Sequence, residues 1–502
     1  MSVADVARNI HIQHLDKLYI GGRWVTPFSD GKIEVVSPMT EEVIFTVAEA
    51  READMDRAVA AAREAFDKGP WPLMSHAERA EWMRKFGAGL AARGSELGHA
   101  WTNQTGALHR LSEHVGLGAK DIFDRHAEMA ATFPFEEPHA SGMGGGQTLI
   151  VREPVGVVAA IVPWNAPTPL ACNKLAPAML AGCAIILKAS PETPLDAYIM
   201  AEVVEAIGLP AGVLNVVVAH RPASEHLIRN HGVDKVSFTG SSAAGKKIAS
   251  ILGERMARYT MELGGKSAAI ILDDMSTEEA VKSLSGGICM MSGQVCAALT
   301  RVVVPRARHG EFVDVFSAAL GALQPGDPYD PSSHLGPLAM ARQLKRVEGY
   351  IAKGKEEGAK LAVGGGRPAG LNRGYYIEPT LFANVDNSMA IAQEEIFGPV
   401  ISLIPADSDE DAIRIANDSA YGLNGAVYTH DRKRAYEVAR KVRTGNMAQN
   451  AFRLDMTVSF GGFKSSGVGR EGGKDGLMPY LEAKTILLED ETSPPPLLYP
   501  SA

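Results

Sequence analysis

Three side chains in separate parts of the 502-residue sequence are candidates for a part in catalysis. Cys296 is a candidate nucleophile, because a helix that began at this point would lower the pKa of its thiol. Glu262 follows a predicted strand and precedes two glycines, which is an unusual place for a buried carboxylate that has no function. Asn165 could donate its amide N–H to an oxyanion. Each also has an ordinary explanation, namely an inert buried cysteine, a surface-loop acid and a turn asparagine.

A second candidate site is the loop at residues 238–247, which follows a predicted strand and opens a predicted helix. Backbone N–H groups at such a junction can bind phosphate. The loop departs from a P-loop, because Lys247 stands where the Mg²⁺-binding Ser or Thr belongs. It also departs from GxGxxG, because Ser242 replaces the second glycine. The alternative is a tight strand-to-helix turn that uses its glycines, and the motif alone leaves both interpretations open.

Cysteine, histidine and charge patterns argue against several other function classes. The four cysteines are too few and too irregularly spaced for a disulfide framework, and none form a CxxC pair. The 14 histidines include no HExxH motif, so we expect no metal site. The 50 basic and 59 acidic residues give a net charge of -9, without the basic footprint of a nucleic-acid-binding protein.

Composition describes a globular protein, with 46% hydrophobic and 22% charged residues. The longest apolar run, around residues 157–162, is far shorter than the roughly 20 residues that span a bilayer. The first 20 residues carry charges where a signal peptide has an apolar block. We therefore expect no membrane partner and a cytoplasmic location.

The elements that must position these candidates alternate between strands and helices. Residues 18–50 show the pattern of short strands, and helical spacing follows to about residue 131. Buried strands are predicted at 156–162, 184–188, 213–218 and 234–238, with helices at 170–180, 197–207 and 243–258. This alternation is typical of an α/β fold with a doubly wound parallel sheet. Ligands of such sheets bind beyond the carboxyl ends of strands, at the loops 163–167, 188–194 and 239–245.

A second α/β stretch, from about residue 267 to 450, predicts a second lobe and a cleft between the two. Its strands are expected at 268–272, 301–304, 400–404 and 425–428. A further strand at 484–488 lies apart from both lobes and could pair with another subunit. The proline-rich segment from residue 493 onwards predicts an extended tail.

From residue 18 to residue 484 the sequence resembles the aldehyde dehydrogenase superfamily. Its motifs occur in that family's order and with similar spacing: PWNAP at 163–167, FTGS at 238–241, ELGGKS at 262–267, GQVC at 293–296, EEIFGPV at 394–400 and FGGFKSSG at 460–467. Together these motifs outweigh the ordinary explanation of each separate residue.

The resemblance implies covalent oxidation of an aldehyde to a carboxylic acid. Cys296 would attack the aldehyde, and Asn165 with the Cys296 backbone N–H would stabilise the oxyanion. Glu262 would activate the water that hydrolyses the resulting thioester. Lys174 and Glu482 match family positions that are sometimes placed in a proton relay.

The resemblance also implies a nicotinamide dinucleotide cofactor, NAD⁺ in preference to NADP⁺. The residues that it places around the dinucleotide are Ile161, Val162, Pro163, Trp164, Lys188, Phe238, Gly240, Ser241, Gln343, Arg346, Glu395 and Phe397. Family members that use NAD⁺ commonly have a Glu three residues after the ribose lysine, but here Pro191 occupies that position and Glu192 follows it. Arg221 could accept a 2′-phosphate, which keeps NADP⁺ open as the alternative.

The implied architecture is aldehyde dehydrogenase-like. It has a Rossmann-like dinucleotide-binding domain (1–132 and 154–262), a catalytic domain (263–477), a β oligomerisation arm (133–153 and 478–491) and a C-terminal tail (492–502). The arm implies a homodimer or homotetramer. Ala166 and Asn173 stand where many members line the substrate tunnel with aromatic residues, so the sequence does not identify the aldehyde.

Two other functions stay open at this point. A thiol esterase would use the same three residues without redox chemistry, although the cofactor motifs argue against it as the sole function. A non-catalytic dinucleotide-binding family member would be favoured by loss of Cys296 or Glu262, and both are present. Glu262 also favours hydrolysis over acyl transfer to coenzyme A, because members that make that transfer often lack a carboxylate there.

Overall fold

Two large sheets form the framework of the computed structural model, which describes residues 9–142 and 146–489. The predicted tail at 492–502 lies outside these residues. The first sheet has eight strands, in the spatial order Gly467–Val468, Arg258–Glu262, Lys235–Thr239, Val157–Ile161, Ala184–Ala189, Leu214–Val218, Leu18–Ile20 and Arg23–Val25. Its five central strands are parallel. The predicted doubly wound parallel sheet is therefore confirmed.

Helices cover both faces of the first sheet because alternate strand residues point to opposite sides. One face packs on Glu52–Asp67, Arg221–Arg229 and Ser242–Glu254. The other packs on His76–Ala92, Gly94–Thr105, Val115–Thr132, Pro167–Ala181 and Leu195–Ile207. Val158 and Ala160 lie in one core, whereas Val157 and Ala159 lie in the other. Both faces are thus buried, which explains the continuous apolar runs of these strands.

The second sheet has seven strands, in the order Lys360–Val363, Thr380–Ala383, Val400–Ala406, Arg301–Pro305, Ala268–Ile271, Gly425–Tyr428 and Ala448–Gln449. Its helices are Thr277–Ile288 and His309–Gly321 on one face, and Ala341–Glu356, Asp409–Asn417 and Arg432–Lys441 on the other. Shorter helices lie at His109–Ser112, Ala390–Gln393 and Gly473–Leu477. The four strands predicted for this lobe are all present.

Two smaller sheets complete the fold. An antiparallel hairpin joins Lys32–Val36 to Val43–Ala48. A three-stranded antiparallel sheet contains Glu136–Ala140, Gln147–Pro154 and Leu481–Leu488, and we call it the arm sheet. The strand predicted at 484–488 therefore pairs with another segment of its own chain. Among the described residues, no helix combines the length and apolar character needed to cross a membrane.

The helix predicted at 243–258 ends earlier than the sequence pattern indicated. It spans Ser242–Glu254, and Arg258 already belongs to the next strand. Met256 adopts the left-handed conformation with φ 55°, which an α-helix does not accommodate. The early end allows the chain to enter the strand that carries Glu262 at its carboxyl end.

A segment from the second half of the chain joins the first sheet close to Glu262. Gly467–Val468 pairs with the end of Arg258–Glu262, opposite Glu262 itself. The N–H of Leu263 donates to the carbonyl of Ser466 at 2.9 Å. These contacts place segments of both lobes at the carboxyl edge of the first sheet.

Candidate active site

Cys296 lies in a turn, and the prediction that a helix begins there is wrong. A short 3-10 segment, Met290–Gly293, precedes it, with left-handed φ values of 50° at Met291 and 55° at Ser292. The Ser292 hydroxyl anchors this segment by donating to the Gly336 carbonyl at 2.7 Å. Burial, with the nearby carboxylates of Glu395 and Glu262, raises the pKa of the Cys296 thiol to about 12. The thiol is therefore protonated at neutral pH and requires a base.

Asn165 is held against the segment that leads to Cys296. It lies in the loop between the strand Val157–Ile161 and the helix Pro167–Ala181. Its Nδ2 donates to the carbonyl of Gln294 at 3.0 Å, and its own carbonyl accepts the Trp101 indole N–H at 2.9 Å. An amide nitrogen carries two N–H groups, so the second remains for a ligand.

Glu262 ends its strand as a buried carboxylate, with 4% of its surface exposed. Neither carboxylate oxygen has a hydrogen-bond partner within the described ranges. The space beside it requires glycine at 461, since a Cβ there would lie 2.7 Å from Glu262 Oε1. Burial, followed by the charge of Glu471, raises the pKa of Glu262 well above that of an ordinary carboxyl. A raised pKa suits a general base that must accept a proton near neutral pH.

Lys174 forms a buried ion pair with Glu471 behind Glu262. Lys174 is fully buried and Glu471 is 2% exposed. The ammonium donates to a Glu471 carboxylate oxygen and also to Ser237 Oγ at 3.3 Å. The sequence did not point to Glu471. It pointed to Glu482, but Glu482 forms a surface ion pair with Arg258, with 2.6 Å between Arg258 Nε and Glu482 Oε1. A carboxylate flanked by glycines at 469, 472 and 473 was the available clue.

Glu395 and Phe397 line the cleft on the side of the second lobe. A Glu395 oxygen accepts the Gly265 N–H at 3.1 Å, and burial raises the pKa of Glu395 to about 7. The Phe397 ring meets Trp164 edge to face, with ring centres 5.3 Å apart. Gln343 donates to the Phe397 carbonyl at 2.7 Å, and Arg346 donates to the Ile396 carbonyl at 3.3 Å. Both residues thus hold the 395–397 backbone in place.

The opposite end of the cleft contains Lys188, at the end of the strand Ala184–Ala189. Burial lowers its pKa to about 8, and the charge of Glu192 opposes this effect. Glu192 accepts a hydrogen bond from Ser190 and pairs with Arg342 at 2.6 Å. A surface cavity of about 640 Å³ adjoins this pair; it is lined by Lys32, Ile33, Glu34, Thr46, Pro191, Glu192, His220 and Arg342. Arg221 is exposed at the start of its helix.

Between these ends, the loop at 238–245 combines a close turn with a helix N-terminus. A Cβ at Gly240 would lie 2.5 Å from the Phe238 ring, so a larger residue would have to displace that ring. Ser241 caps the helix Ser242–Glu254 by accepting the Ala244 N–H at 3.3 Å. A helix of this length presents free N–H groups to an anion. Ile161 ends the neighbouring strand Val157–Ile161, and Val162 and Pro163 follow it. The Val162 N–H donates to the Lys188 carbonyl at 3.3 Å.

Apolar side chains form a cluster against which Cys296 packs. Ala297, Leu423 and Phe460 are buried, and partly exposed residues pack against them. These are Val295, Phe452, Leu454 and Met456. Among residues 9–142 and 146–489, no group of three or more His, Cys, Asp or Glu side chains converges as metal ligands would.

Comparison with known proteins matches this arrangement to one family. The family model described as "Aldehyde dehydrogenase family" matches residues 24–486. Geranial dehydrogenase of Castellaniella defragrans is 40% identical over 472 residues, covering 94% of this chain and 98% of the relative.

Solved structures show the same similarity. An aldehyde dehydrogenase of Mycobacterium tuberculosis in complex with NAD⁺ is 44% identical, with a TM-score of 0.93, covering 96% of this chain and all of that one. A mutant aldehyde dehydrogenase C of Pseudomonas syringae, in complex with NAD⁺ and octanal, is 39% identical, with a TM-score of 0.91 and coverage of 95% and 98%.

Proposed function

The chain belongs to the aldehyde dehydrogenase family and catalyses NAD-dependent aldehyde oxidation, and we propose that Cys296, Asn165 and Glu262 perform the chemistry. The observation that carries the proposal is their common placement. Asn165 binds the carbonyl two residues before Cys296, and Glu262 lies close enough to Cys296 to raise its pKa. The carboxyl ends of parallel strands are where such folds place their ligands.

The first half of the reaction forms an acyl-enzyme. Cys296 Sγ attacks the aldehyde carbon while its proton passes to Glu262, whose oxygens have no competing hydrogen bonds within the described ranges. The carbonyl electron pair moves to oxygen, where the Asn165 amide and the Cys296 backbone N–H stabilise the charge. Collapse of this oxyanion re-forms the carbonyl, breaks the C–H bond of the former aldehyde with loss of hydride, and leaves an acyl thioester on Cys296. NAD⁺, when bound, would supply the hydride acceptor.

The second half is hydrolysis of the thioester. Glu262 must first pass on the thiol proton that it took up during acylation, so that its carboxylate is free again. It then takes a proton from water as the new C–O bond forms, and it gives this proton to the Cys296 sulfur as the C–S bond breaks, which releases the acid and the thiol. The raised pKa of Glu262 favours this proton transfer. The Lys174–Glu471 pair is the acceptor for that first proton, since Glu471 is the carboxylate whose charge acts most strongly on Glu262.

The cleft has the groups that a dinucleotide needs. Glu395, Phe397 and Trp164 would hold the nicotinamide end, and Ser241 with its helix N-terminus would hold the pyrophosphate. Lys188 would bind the adenosine ribose. Gly240 and Phe238 would leave space for the backbone of the loop to approach the cofactor.

NAD⁺ is the preferred coenzyme in this proposal. Glu192 lies one residue later than the usual family carboxylate, yet its charge still acts on Lys188. A carboxylate there repels a 2′-phosphate, and the Arg342 guanidinium that could bind such a phosphate is already paired with Glu192. Arg221 is exposed at a helix start and is not part of this pair.

The substrate class in this proposal is an apolar aldehyde. The apolar side chains that pack around Cys296 are alanine, valine, leucine, methionine and phenylalanine. Burial of an apolar chain against them would favour binding by about 0.8 kcal/mol for each CH₂ group. One relative is named for geranial and another was solved in complex with octanal, and both molecules are apolar aldehydes.

Association into a homodimer or homotetramer through the arm sheet is also part of the proposal. Leu481–Leu488 is an edge strand of that sheet, and its Leu487 is 71% exposed. An unpaired edge with an exposed apolar side chain favours pairing with another chain.

Absorbance of the reduced nicotinamide tests the proposal. Purified protein is given NAD⁺ or NADP⁺ with a series of linear and branched apolar aldehydes and with charged aldehydes. We expect reduction with NAD⁺ and apolar aldehydes, lost in Cys296→Ala but kept in Cys289→Ala, a matched change at a buried thiol. Activity in Cys296→Ala at half the parent level would contradict the assignment of the nucleophile. Preference for charged aldehydes would contradict the substrate class.

A further inference from the structure

Asp196 is a buried carboxylate that the proposed mechanism does not use. It is 1% exposed and lies in the first turn of the helix Leu195–Ile207. Its two oxygens bind two other helices: Oδ1 accepts the Thr168 hydroxyl at 2.5 Å, and Oδ2 accepts Gln104 Nε2 at 2.8 Å. Thr168 and Gln104 are buried as well. A buried charge is costly unless hydrogen bonds satisfy it, so this carboxylate holds both partners in fixed positions.

Gln104 binds the carboxylate in one defined orientation. Its Oε1 accepts the N–H of Leu195, the residue before Asp196, at 3.0 Å. Its Nε2 donates to the Ala100 carbonyl at 2.9 Å as well as to the carboxylate. Because the amide oxygen can only accept and the amide nitrogen can only donate, a flipped amide would lose these bonds. Burial raises the pKa of Asp196 to about 6, so at neutral pH it is mainly ionised and can accept from both partners.

Thr168 joins the same carboxylate to the loop of Asn165. It is the second residue of the helix Pro167–Ala181 and lies three positions after Asn165. Ala166, which precedes this helix, has a methyl side chain and cannot accept a helix N–H as a polar N-cap residue does. The hydrogen bond from Thr168 to Asp196 instead anchors the first turn, where the helix dipole also favours a negative charge.

The helix that carries Gln104 supplies a second anchor for the loop. Trp101 lies one turn earlier on that helix, and its indole N–H donates to the Asn165 carbonyl at 2.9 Å. The loop is thus held at the carbonyl of Asn165 and again three residues later. Asp196 connects these two points, because it binds the second directly and the helix of the first through Gln104. We call Trp101, Gln104, Asp196 and Thr168 the frame of Asn165.

We propose that Asp196 is a positioning residue that, through this frame, aims the Asn165 amide at the oxyanion. The inference rests on the proposed function, in which that amide stabilises the charge on the substrate oxygen. The frame fixes the backbone of Asn165, and the hydrogen bond from its Nδ2 to the Gln294 carbonyl at 3.0 Å fixes the side chain. An oxyanion donor has to be in place before the reaction, and a displacement of about 1 Å can slow a reaction by about 100-fold.

A double-mutant cycle between Thr168→Val and Asn165→Ala tests this role. Valine keeps the shape of threonine and removes the hydroxyl that binds Asp196. The assay is the rate of NADH formation in the first turnover, by rapid mixing with saturating NAD⁺ and an apolar aldehyde. We expect this rate to fall by about 10-fold in Thr168→Val and by about 100-fold in Asn165→Ala. In the Asn165→Ala background, Thr168→Val should have little further effect, since the amide that the frame positions is absent.

Two further variants separate positioning from general stability. Thr429→Val is the matched control, because Thr429 is also fully buried and its hydroxyl donates to Asp274 Oδ2 at 2.8 Å. It should keep the parent rate. Asp196→Asn leaves one acceptor oxygen for two donors, so it should slow the first turnover at least as much as Thr168→Val. Thermal unfolding shows whether each variant is folded, and Thr168→Val decides the question if Asp196→Asn does not fold.

The cycle distinguishes failure of this inference from failure of the proposed function. An equal effect of Thr168→Val in both backgrounds would overturn the inference, because the hydroxyl would then act independently of the Asn165 amide. The parent rate in Thr168→Val, or an equal loss in Thr429→Val, would overturn it as well. The parent rate in Asn165→Ala would instead contradict the proposed function, and the inference would fall with it.

Discussion

The buried pair Lys174–Glu471 should set the pH at which Glu262 becomes active as a base. The charge of Glu471 raises the pKa of Glu262, whereas the charge of Lys174 lowers it. Glu471→Gln removes the first effect and leaves the second without a neutralising partner, so the pKa of Glu262 falls. Lys174→Met removes the second effect and leaves the first, so the pKa rises. The two variants should therefore move the pH profile in opposite directions.

The expected shift follows from burial of the pair. Lys174 is fully buried and Glu471 is 2% exposed, so solvent screens their charges weakly. A like charge or an opposite charge in such a site changes a carboxyl pKa by about 1–3 units. We expect a shift of about 1 unit in each direction, which corresponds to about 1.4 kcal/mol.

The assay is the thioester hydrolysis rate as a function of pH, taken from multiple-turnover kinetics after any initial burst of NADH. Hydrolysis requires deprotonated Glu262, so the acidic limb of the profile moves to lower pH in Glu471→Gln and to higher pH in Lys174→Met. Glu482→Gln is the control, because Glu482 pairs with Arg258 at the surface. Thermal unfolding checks that each variant is folded, since loss of one partner of a buried pair costs about 3–5 kcal/mol.

Shifts in the same direction in both variants would refute this reasoning. So would a shift in Glu482→Gln that equals the shift in Glu471→Gln, because the relay would then run through the surface pair.

Two further predictions concern the coenzyme and the catalytic loop. Glu192→Ala should raise kcat/KM for NADP⁺ by about 10-fold, because it removes a repulsive carboxylate and frees Arg342 for the 2′-phosphate. Steady-state kinetics with NADP⁺ measure this change. A gain that persists in the double variant Glu192→Ala/Arg342→Ala would contradict the role of Arg342. Gly265→Ala should lower kcat by about 100-fold, because a Cβ there would lie 2.5 Å from the Cys296 carbonyl oxygen and displace the nucleophile. Gly286→Ala, with no atom within 4 Å of the added Cβ, should keep the parent rate.

The fold was predictable because its strands are buried on both faces. The runs at 156–162 and 184–188 are continuously apolar, and the structure places them at Val157–Ile161 and Ala184–Ala189. Element ends were less predictable. The helix after residue 242 stops at Glu254, since the left-handed backbone at Met256 has no clear mark in the sequence.

The candidate site shows the same division between local and long-range information. Cys296, Glu262 and Asn165 each lie in a local motif, so the sequence could name them as candidates. Glu471 was missed because its partner Lys174 is 297 residues away, and only folding brings the two together. The chemistry of a buried ion pair depends on such contacts, which no local pattern records.

The thiol environment of Cys296 also had to come from the structure. The sequence predicted a helix N-terminus that would lower the pKa of the thiol, but the residue lies in a turn, where burial and then the charges of Glu395 and Glu262 raise that pKa. The proposed mechanism therefore uses Glu262, and not a helix dipole, to deprotonate the thiol.

Rapid-mixing mass spectrometry of Glu262→Gln tests the central claim most directly. Glutamine keeps the shape of the side chain but cannot accept the proton of the attacking water, so thioester hydrolysis should slow by about 100-fold or more. During turnover with NAD⁺ and an apolar aldehyde, we predict that most of the protein carries an acyl group on Cys296. Free enzyme throughout a slow turnover, with no preceding burst of NADH, would contradict the role of Glu262 in hydrolysis.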